Sequence, residues 1–281
     1  MRPGFQDRVM AAVASIRDSS DFAHRFSPSL ALVAGTGLGP ILDDIAVGAR
    51  ISYAEIAGFP RSTAPSHKGE LILGQLNERA VVAQSGRFHL YEGWSDEDIV
   101  LPVYILRALG AARLVVTNAA GALNSDYRVG DAVLIADHLN FINRHPLKGP
   151  NDDRLGVRFP DMSNVYDRGL RQAARQAAET LGTPLHEGIY AAVHGPEFET
   201  SAERRFLRLA GGDLVGMSTV LEVIAAAHCG MATLGFSAVT NVATGGPEQQ
   251  PDTLEEVLAN AGQGGERIRR ILLHMITAGS L

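Results

Sequence analysis

Seven short apolar runs recur along this chain, at Leu30–Ala34, Leu71–Leu76, Arg79–Gln84, Leu114–Thr117, Asp131–Ala136, Glu187–Val193 and Thr233–Ala238. Each has the length and aliphatic content of a buried strand. Between several of them apolar residues return at helical spacing instead. In Asp96–Leu109 these are Ile99, Val100, Val103, Leu106 and Ala108, and Asp167–Leu181, Ser201–Ala210, Thr219–His228 and Leu254–Ala278 read likewise. Strands alternating with helices predict an α/β architecture in which helices flank a central sheet. Runs 71–76 and 79–84 are separated only by Asn77-Glu78, which predicts an antiparallel hairpin and therefore a mixed sheet.

No internal repeat or low-complexity linker divides the 281 residues, so a single domain over 1–281 is expected. The longest irregular stretch, about 140–164, is rich in Pro, Asp, Asn, Arg and Gly. Loops of that length inside a compact domain are usually functional or lie at an interface.

Composition narrows the partners. A formal net charge of −6, from 25 basic and 31 acidic residues without a basic run, argues against nucleic acid. The lone cysteine, Cys229, excludes an intrachain disulfide and a cysteine-based metal cluster, and its apolar helical context predicts a packed core position. The segment Met1–Ala23 reads as one amphipathic surface helix (Phe5, Val9, Met10, Val13 and Ile16), not a signal peptide. The apolar stretch 220–240 is broken by Glu222, His228, Gly230 and Gly235 into a helix and a strand, so no membrane span is expected. A soluble, cytoplasmic protein follows as the expectation.

Polar residues gather where the apolar runs end, the place at which α/β sheets bind ligands. After the first run comes Gly35-Thr36-Gly37-Leu38-Gly39. Glycines allow positive φ and close approach to main-chain N–H groups, and the Thr36 hydroxyl adds a donor, a recipe for an anion cradle. A tight strand-to-helix turn uses the same residues. After the third run comes Gly86-Arg87-Phe88-His89-Leu90-Tyr91-Glu92-Gly93. In an extended segment Arg87, His89 and Tyr91 share one side: guanidinium and imidazole suit phosphate, and the phenol suits a sugar hydroxyl. An exposed strand face with incidental polar residues reads the same.

Thr117-Asn118-Ala119-Ala120-Gly121 offers small residues directly after a strand, for ligand approach or for packing. Phe198-Glu199 combines a stacking ring with an acceptor for a ring N–H, and an acid near a helix start also complements the helix dipole. Gly216-Met217-Ser218-Thr219 reads as a helix start with exposed amides. Thr240-Asn241 ends a buried strand with an amide that both donates and accepts.

Jointly, these motifs resemble the trimeric class of purine nucleoside phosphorylases, with methylthioadenosine phosphorylases as close relatives. The resemblance also rests on Pro65-Ser66-His67-Lys68-Gly69, Gly130-Asp131 through Asp137-His138-Leu139-Asn140, Asn151 to Met162, and Gly195 to Thr200, all in the family's order between residues 30 and 241. It implies the nucleoside phosphorylase fold and reversible phosphorolysis of purine (2′-deoxy)ribonucleosides to base and α-D-(deoxy)ribose 1-phosphate, in purine salvage. By the same resemblance Thr36, His67, Arg87, His89, the Ala119 amide and Ser218 would hold phosphate. Tyr91, Phe159, Phe198, Glu199, Met217, Asn241 and Leu254 would hold the nucleoside, and Asn241, His89 and Glu199 would carry the catalysis. Phe159 would enter the neighbouring subunit's site, which implies a homotrimer. No metal or organic cofactor is implied, since phosphate is itself a substrate.

Base choice follows from hydrogen-bond chemistry. Glu199 accepts from the N1–H of hypoxanthine or guanine, whereas adenine presents a bare acceptor there, so inosine and guanosine are expected over adenosine. Where the family pattern has a histidine facing the ribose 5′-hydroxyl, this chain has Leu254. That departure keeps open 5′-modified nucleosides such as 5′-methylthio purines, and small changes around the purine 2-position keep open xanthosine. A nucleoside hydrolase and a non-catalytic nucleotide sensor are the rival classes, and dependence of turnover on phosphate separates them.

Overall fold

In the computed structural model the described residues are 4–36, 39–61, 63, 68–247 and 249–281. His67, with the rest of 64–67, and Gly37 and Leu38 in the first glycine loop lie outside them.

The strands are β1 (Leu30–Ala34), β2 (Ala46–Ser52), β3 (Glu70–Leu76), β4 (Arg79–Ser85), β5 (Arg113–Ala122), β6 (Ala132–Asn140), β7 (His186–Ala192), β8 (Leu214–Gly216) and β9 (Ala232–Val242). They form one mixed sheet in the order β2-β3-β4-β1-β5-β8-β7-β6-β9, and β9 also pairs with β5. The second half of the sheet therefore closes on itself: β5, β8, β7, β6 and β9 make a ring. The predicted hairpin is β3–β4, and its two turn residues, Asn77 and Glu78, both adopt positive φ, as a two-residue hairpin turn requires.

Helices cover both faces. On one lie α1 (Phe5–Asp18), α4 (Asp96–Leu109) and α7 (Val220–His228), whose apolar residues join the largest core cluster. On the other, α5 (Arg168–Thr180) and α8 (Leu254–Thr277) bury stripes such as Leu170, Ala174, Ala177 and Ala178, at i, i+4, i+7 and i+8. The remaining helices are α2 (Asp21–Arg25), α3 (Pro40–Asp43) and α6 (Ser201–Leu209). Residues 141–167 contain neither helix nor strand, in agreement with the long irregular stretch read from the sequence.

Four local expectations need correction. The N-terminal helix is two helices, because Ser20 accepts from the Ala23 amide and starts α2 anew; Met10, expected on the apolar stripe, is 49% exposed. Strands β2 and β8 were not expected: β2 is a largely exposed edge strand and β8 has three residues. Strand β5 runs on through Asn118–Gly121, expected to follow the strand, while Thr240-Asn241 lie at the end of strand β9 as expected. Cys229 is only half-buried, packed against the rim of the core.

Candidate active site

The ends of β1, β4, β5, β8 and β9 converge on a cavity of about 300 Å³. Thr36, Arg87, His89, Ala119 and Ser218 line one part of it. Tyr91, Phe198, Glu199, Met217, Asn241 and Leu254 also face it. All the residues nominated from the sequence are thus brought together except two. His67 lies outside the described residues, and Phe159 stands 87% exposed on the 141–167 segment, with the Arg158 guanidinium carbon 5.4 Å from its ring centroid.

The glycine loop begins where the chain after β1 lies against β5. A Cβ on Gly35 would lie 2.3 Å from the Thr117 carbonyl oxygen, and the Gly35 N–H donates to Thr117 Oγ1 at 3.1 Å. Only glycine lets the chain turn into the cavity there.

Arg87 and His89 reach the cavity by a route other than the expected extended strand. Residues 86–89 are irregular and Leu90–Glu92 form a single helical turn, so simple alternation does not aim these side chains. Arg87 is buried (1% exposed): Nη1 donates to the Thr117 carbonyl at 2.9 Å and to Ser218 Oγ at 3.1 Å, while Nη2 lies 3.2 Å from Glu222 Oε2. Glu222 also accepts the Thr219 N–H at 3.1 Å and so caps α7. One carboxylate thus fixes both the guanidinium and the turn that carries Ser218. That turn is strained: Thr219, β-branched, has φ 73°, a region such residues rarely enter. Its hydroxyl is held by Asn118 Nδ2 at 2.9 Å. Strain of this kind costs roughly 1–3 kcal/mol and persists where the surroundings over-determine it, commonly at functional sites.

His89 is oriented by Glu92, whose Oε1 takes both the His89 backbone N–H and Nδ1 at 2.8 Å. Burial pushes the Glu92 carboxyl up, but hydrogen bonds from His89 and Thr63 outweigh it and hold the pKa at about 2. It is therefore an anion at neutral pH and keeps a proton on Nδ1. The imidazole stacks on Tyr91, with centroids 4.7 Å apart and planes 12° from parallel. Burial, with Glu92 beside it, pushes the Tyr91 phenol up to about 12, so it stays a donor.

The same cavity holds two groups suited to a heterocycle, Glu199 and Asn241. Glu199 precedes Thr200, which caps α6: Thr200 Oγ1 accepts the Glu203 N–H at 3.2 Å and Glu203 returns the bond to the Thr200 N–H at 2.8 Å. Asn241 faces the cavity together with its neighbour Thr240, although adjacent strand residues normally point to opposite sides. The cause is a bulge. Ala120 pairs with Val239 and Gly121 with Asn241, so Thr240 is an extra residue in the register. A Cβ on Gly121 would come within 3.2 Å of Asn241 Nδ2 and 2.9 Å of Ala243 Cβ, so glycine makes room for the amide.

Several supporting residues were not found from the sequence. Asn118, Thr219, Glu222 and Glu92 sit inside motifs already singled out, and the Thr219-x-x-Glu222 spacing is itself a capping signal. Val257 and Leu258 join Leu254 on one face of α8, at i, i+3 and i+4. Arg204 and Asp252, buried behind Glu199 and Asn241, gave no signal at all.

Comparison with known proteins agrees with this geometry. Residues 29–277 match the family model of the phosphorylase superfamily. The chain is 46% identical over 253 residues to purine nucleoside phosphorylase 1 of Bacillus subtilis, covering 90% of this chain and 92% of that one. It is 47% identical to the Bos taurus purine nucleoside phosphorylase, over 84% of this chain and 83% of the relative. A Schistosoma purine nucleoside phosphorylase solved with hypoxanthine superposes with a TM-score of 0.90 at 38% identity, covering 96% of both chains.

Proposed function

This chain belongs to the phosphorylase superfamily, among its purine nucleoside phosphorylases, and from that membership we propose its substrate preference, site roles and assembly. Our reading is that the enzyme prefers 6-oxopurine (2′-deoxy)ribonucleosides, inosine and guanosine, and works in purine salvage in the cytoplasm. The observation that carries it is the pairing of Glu199, an acceptor for a purine N1–H, with Asn241, which donates and accepts, in the same cavity as Arg87 and His89.

Phosphate would sit among Thr36, Arg87, His89, the Ala119 amide and Ser218, with His67 near it. Tyr91 and the Met217 backbone would hold the ribose hydroxyls, and Phe198 would lie against the base. As the glycosidic bond lengthens, positive charge grows on the ribose and negative charge on the purine. The phosphate anion stabilises the first and attacks C1′; Asn241 stabilises the second at N7. Both act most strongly as charge develops, which is the condition for lowering the barrier. Phosphate serves as substrate, and no metal or organic cofactor enters the scheme.

A second reading has its own observation. Leu254, Val257 and Leu258 put an apolar face of α8 on the cavity, which suits a 5′-methylthio nucleoside better than a 5′-hydroxyl; xanthosine is the further alternative. For assembly, the 87% exposure of Phe159 supports a homotrimer in which each ring enters a neighbour's site.

The test is cleavage of inosine with and without phosphate, with and without a chelator, beside guanosine, adenosine, xanthosine and 5′-methylthioinosine. Strict phosphate dependence, indifference to the chelator and preference for inosine and guanosine support the reading. Preference for the thio-substrate moves it to the second one. Turnover without phosphate overturns the scheme.

A further inference from the structure

Behind the wall formed by Glu199 and Asn241 lie two charged side chains that the scheme above leaves without a role. Arg204 and Asp252 are 48 residues apart, yet their side chains are each 3% exposed and form an ion pair between Nη2 and Oδ2. Arg204 Nε has no hydrogen-bond partner and lies 3.6 Å from Glu199 Oε2. The other Asp252 oxygen, Oδ1, accepts from Asn241 Nδ2 at 2.8 Å. On the far side of the same amide Thr240 Oγ1 donates to Asn241 Oδ1 at 2.9 Å, the shorter of its two contacts.

A carboxylate paired with a guanidinium accepts hydrogen bonds and cannot donate them. Asp252 therefore admits one orientation of the Asn241 amide, nitrogen towards itself. One Nδ2–H and one Oδ1 lone pair then remain for the base. The N–H matches a carbonyl at C6, and the oxygen matches an N7–H as the base departs. A 6-amino group would require the amide to flip. The flip would press Oδ1 against the Asp252 carboxylate, losing that hydrogen bond and setting two acceptors face to face in a buried site, whereas the Thr240 hydroxyl could accept from the NH₂.

We infer that Asp252, held in place by Arg204, is a specificity-determining positioning residue that locks the Asn241 amide in the orientation that takes 6-oxopurines and refuses 6-aminopurines. The inference rests on the reading of Asn241 as a base-contacting residue.

The test is Asp252→Asn, in which the new amide can donate as readily as it accepts and the flip is no longer opposed. Because that change leaves Arg204 without its counter-charge, the double variant Arg204→Gln/Asp252→Asn, which removes the pair together, is assayed beside it. For each folded protein kcat/KM is measured with inosine and with adenosine at saturating phosphate. The adenosine-to-inosine ratio is expected to rise about tenfold or more in at least one variant, because a hydrogen-bonded site discriminates chiefly through the group it would leave unpaired. A merely structural role would lower both substrates alike. A ratio within twofold of wild type in the folded variants overturns the lock. Wild-type enzyme that itself does not prefer inosine overturns the substrate reading as well, so the two failures are told apart.

Discussion

Burial raises the Glu199 carboxyl above its ordinary 4.5; Asp252 and Glu203 push the same way, while a backbone hydrogen bond and Arg204 oppose them. A carboxyl whose folded-state value lies above its unfolded one adds stability only while protonated, so that contribution is present at low pH and lost as pH rises through the folded value. The ionised form of Glu199 therefore works against the fold, a tension typical of working sites. Glu199→Gln is expected to raise the Tm of the free enzyme at pH 7 while lowering kcat/KM for inosine by about 100-fold. The acid limb of the wild-type pH–rate profile should lie above 4.5 and disappear in the variant; an acid limb that persists would remove Glu199 from base recognition. Arg87 and Glu222 are both almost wholly buried. Glu222→Gln leaves the guanidinium without its carboxylate and is expected to cost about 3 kcal/mol in denaturant unfolding, well beyond the ~1 kcal/mol of an exposed pair. Added phosphate should raise the Tm of this variant more than that of wild type, by supplying the missing negative charge. The sequence made Thr36, Arg87, His89 and Asn241 legible because each lies at or just beyond the end of an apolar run, and Ser218 because it stands at a helix start. Arg204 and Asp252 were not, since only the fold brings an α6 side chain to the loop before α8.

Strands β5 and β9 bring Ala119 and Asn241 to the site, and their parallel pairing is where local pattern and final geometry diverge. Apolar runs marked where these strands begin. The last residues of β5 are small or polar and read as lying beyond the strand, because nothing in the sequence says that neighbouring strands will supply their hydrogen bonds. The bulge at Thr240 was equally hidden: it arises from the register between two strands over a hundred residues apart. Helices were easier. The stripe of α4 and the capping box of α6 are local, and their expected limits agree with the observed ones to within a residue. The crowded point of the β5–β9 pair is Gly121, wedged between Ala243, Asn241 and Val215. Gly121→Ala overpacks it and is expected to destabilise the protein by roughly 1–3 kcal/mol. Because the added methyl meets Asn241 Nδ2, inosine turnover should fall in protein that is still folded at the assay temperature; unchanged kcat/KM would show that Asn241 tolerates displacement.

At the scale of the whole molecule, the alternation of strands and helices foretold a mixed sheet covered on both faces, but not the closure of its second half into a ring. Closure depends on β9 pairing with both β5 and β6, a long-range choice that no local pattern encodes. Phe159 belongs to this scale too, since an 87% exposed aromatic ring has no partner within its own subunit's core. Phe159→Ala is expected to leave Tm within a degree or two of wild type, as exposed substitutions do, while raising KM for inosine. If wild type sediments as a trimer and the variant's KM is unchanged, the ring does not serve a neighbour's site. The ring of strands has another consequence. Every strand in it is paired on both sides, and on the open half β2 alone has a single neighbour, so among the described residues the sheet has one free border. That border is guarded: its register with β3 is broken at Val47/Ala49, Phe22 packs beside Gly48, and Arg50 is tied to Glu70 at 2.6 Å. A sheet with two borders can add copies of itself without end. This one, if its guard failed, could join border to border only once, and stacking by strand addition would stop at a pair.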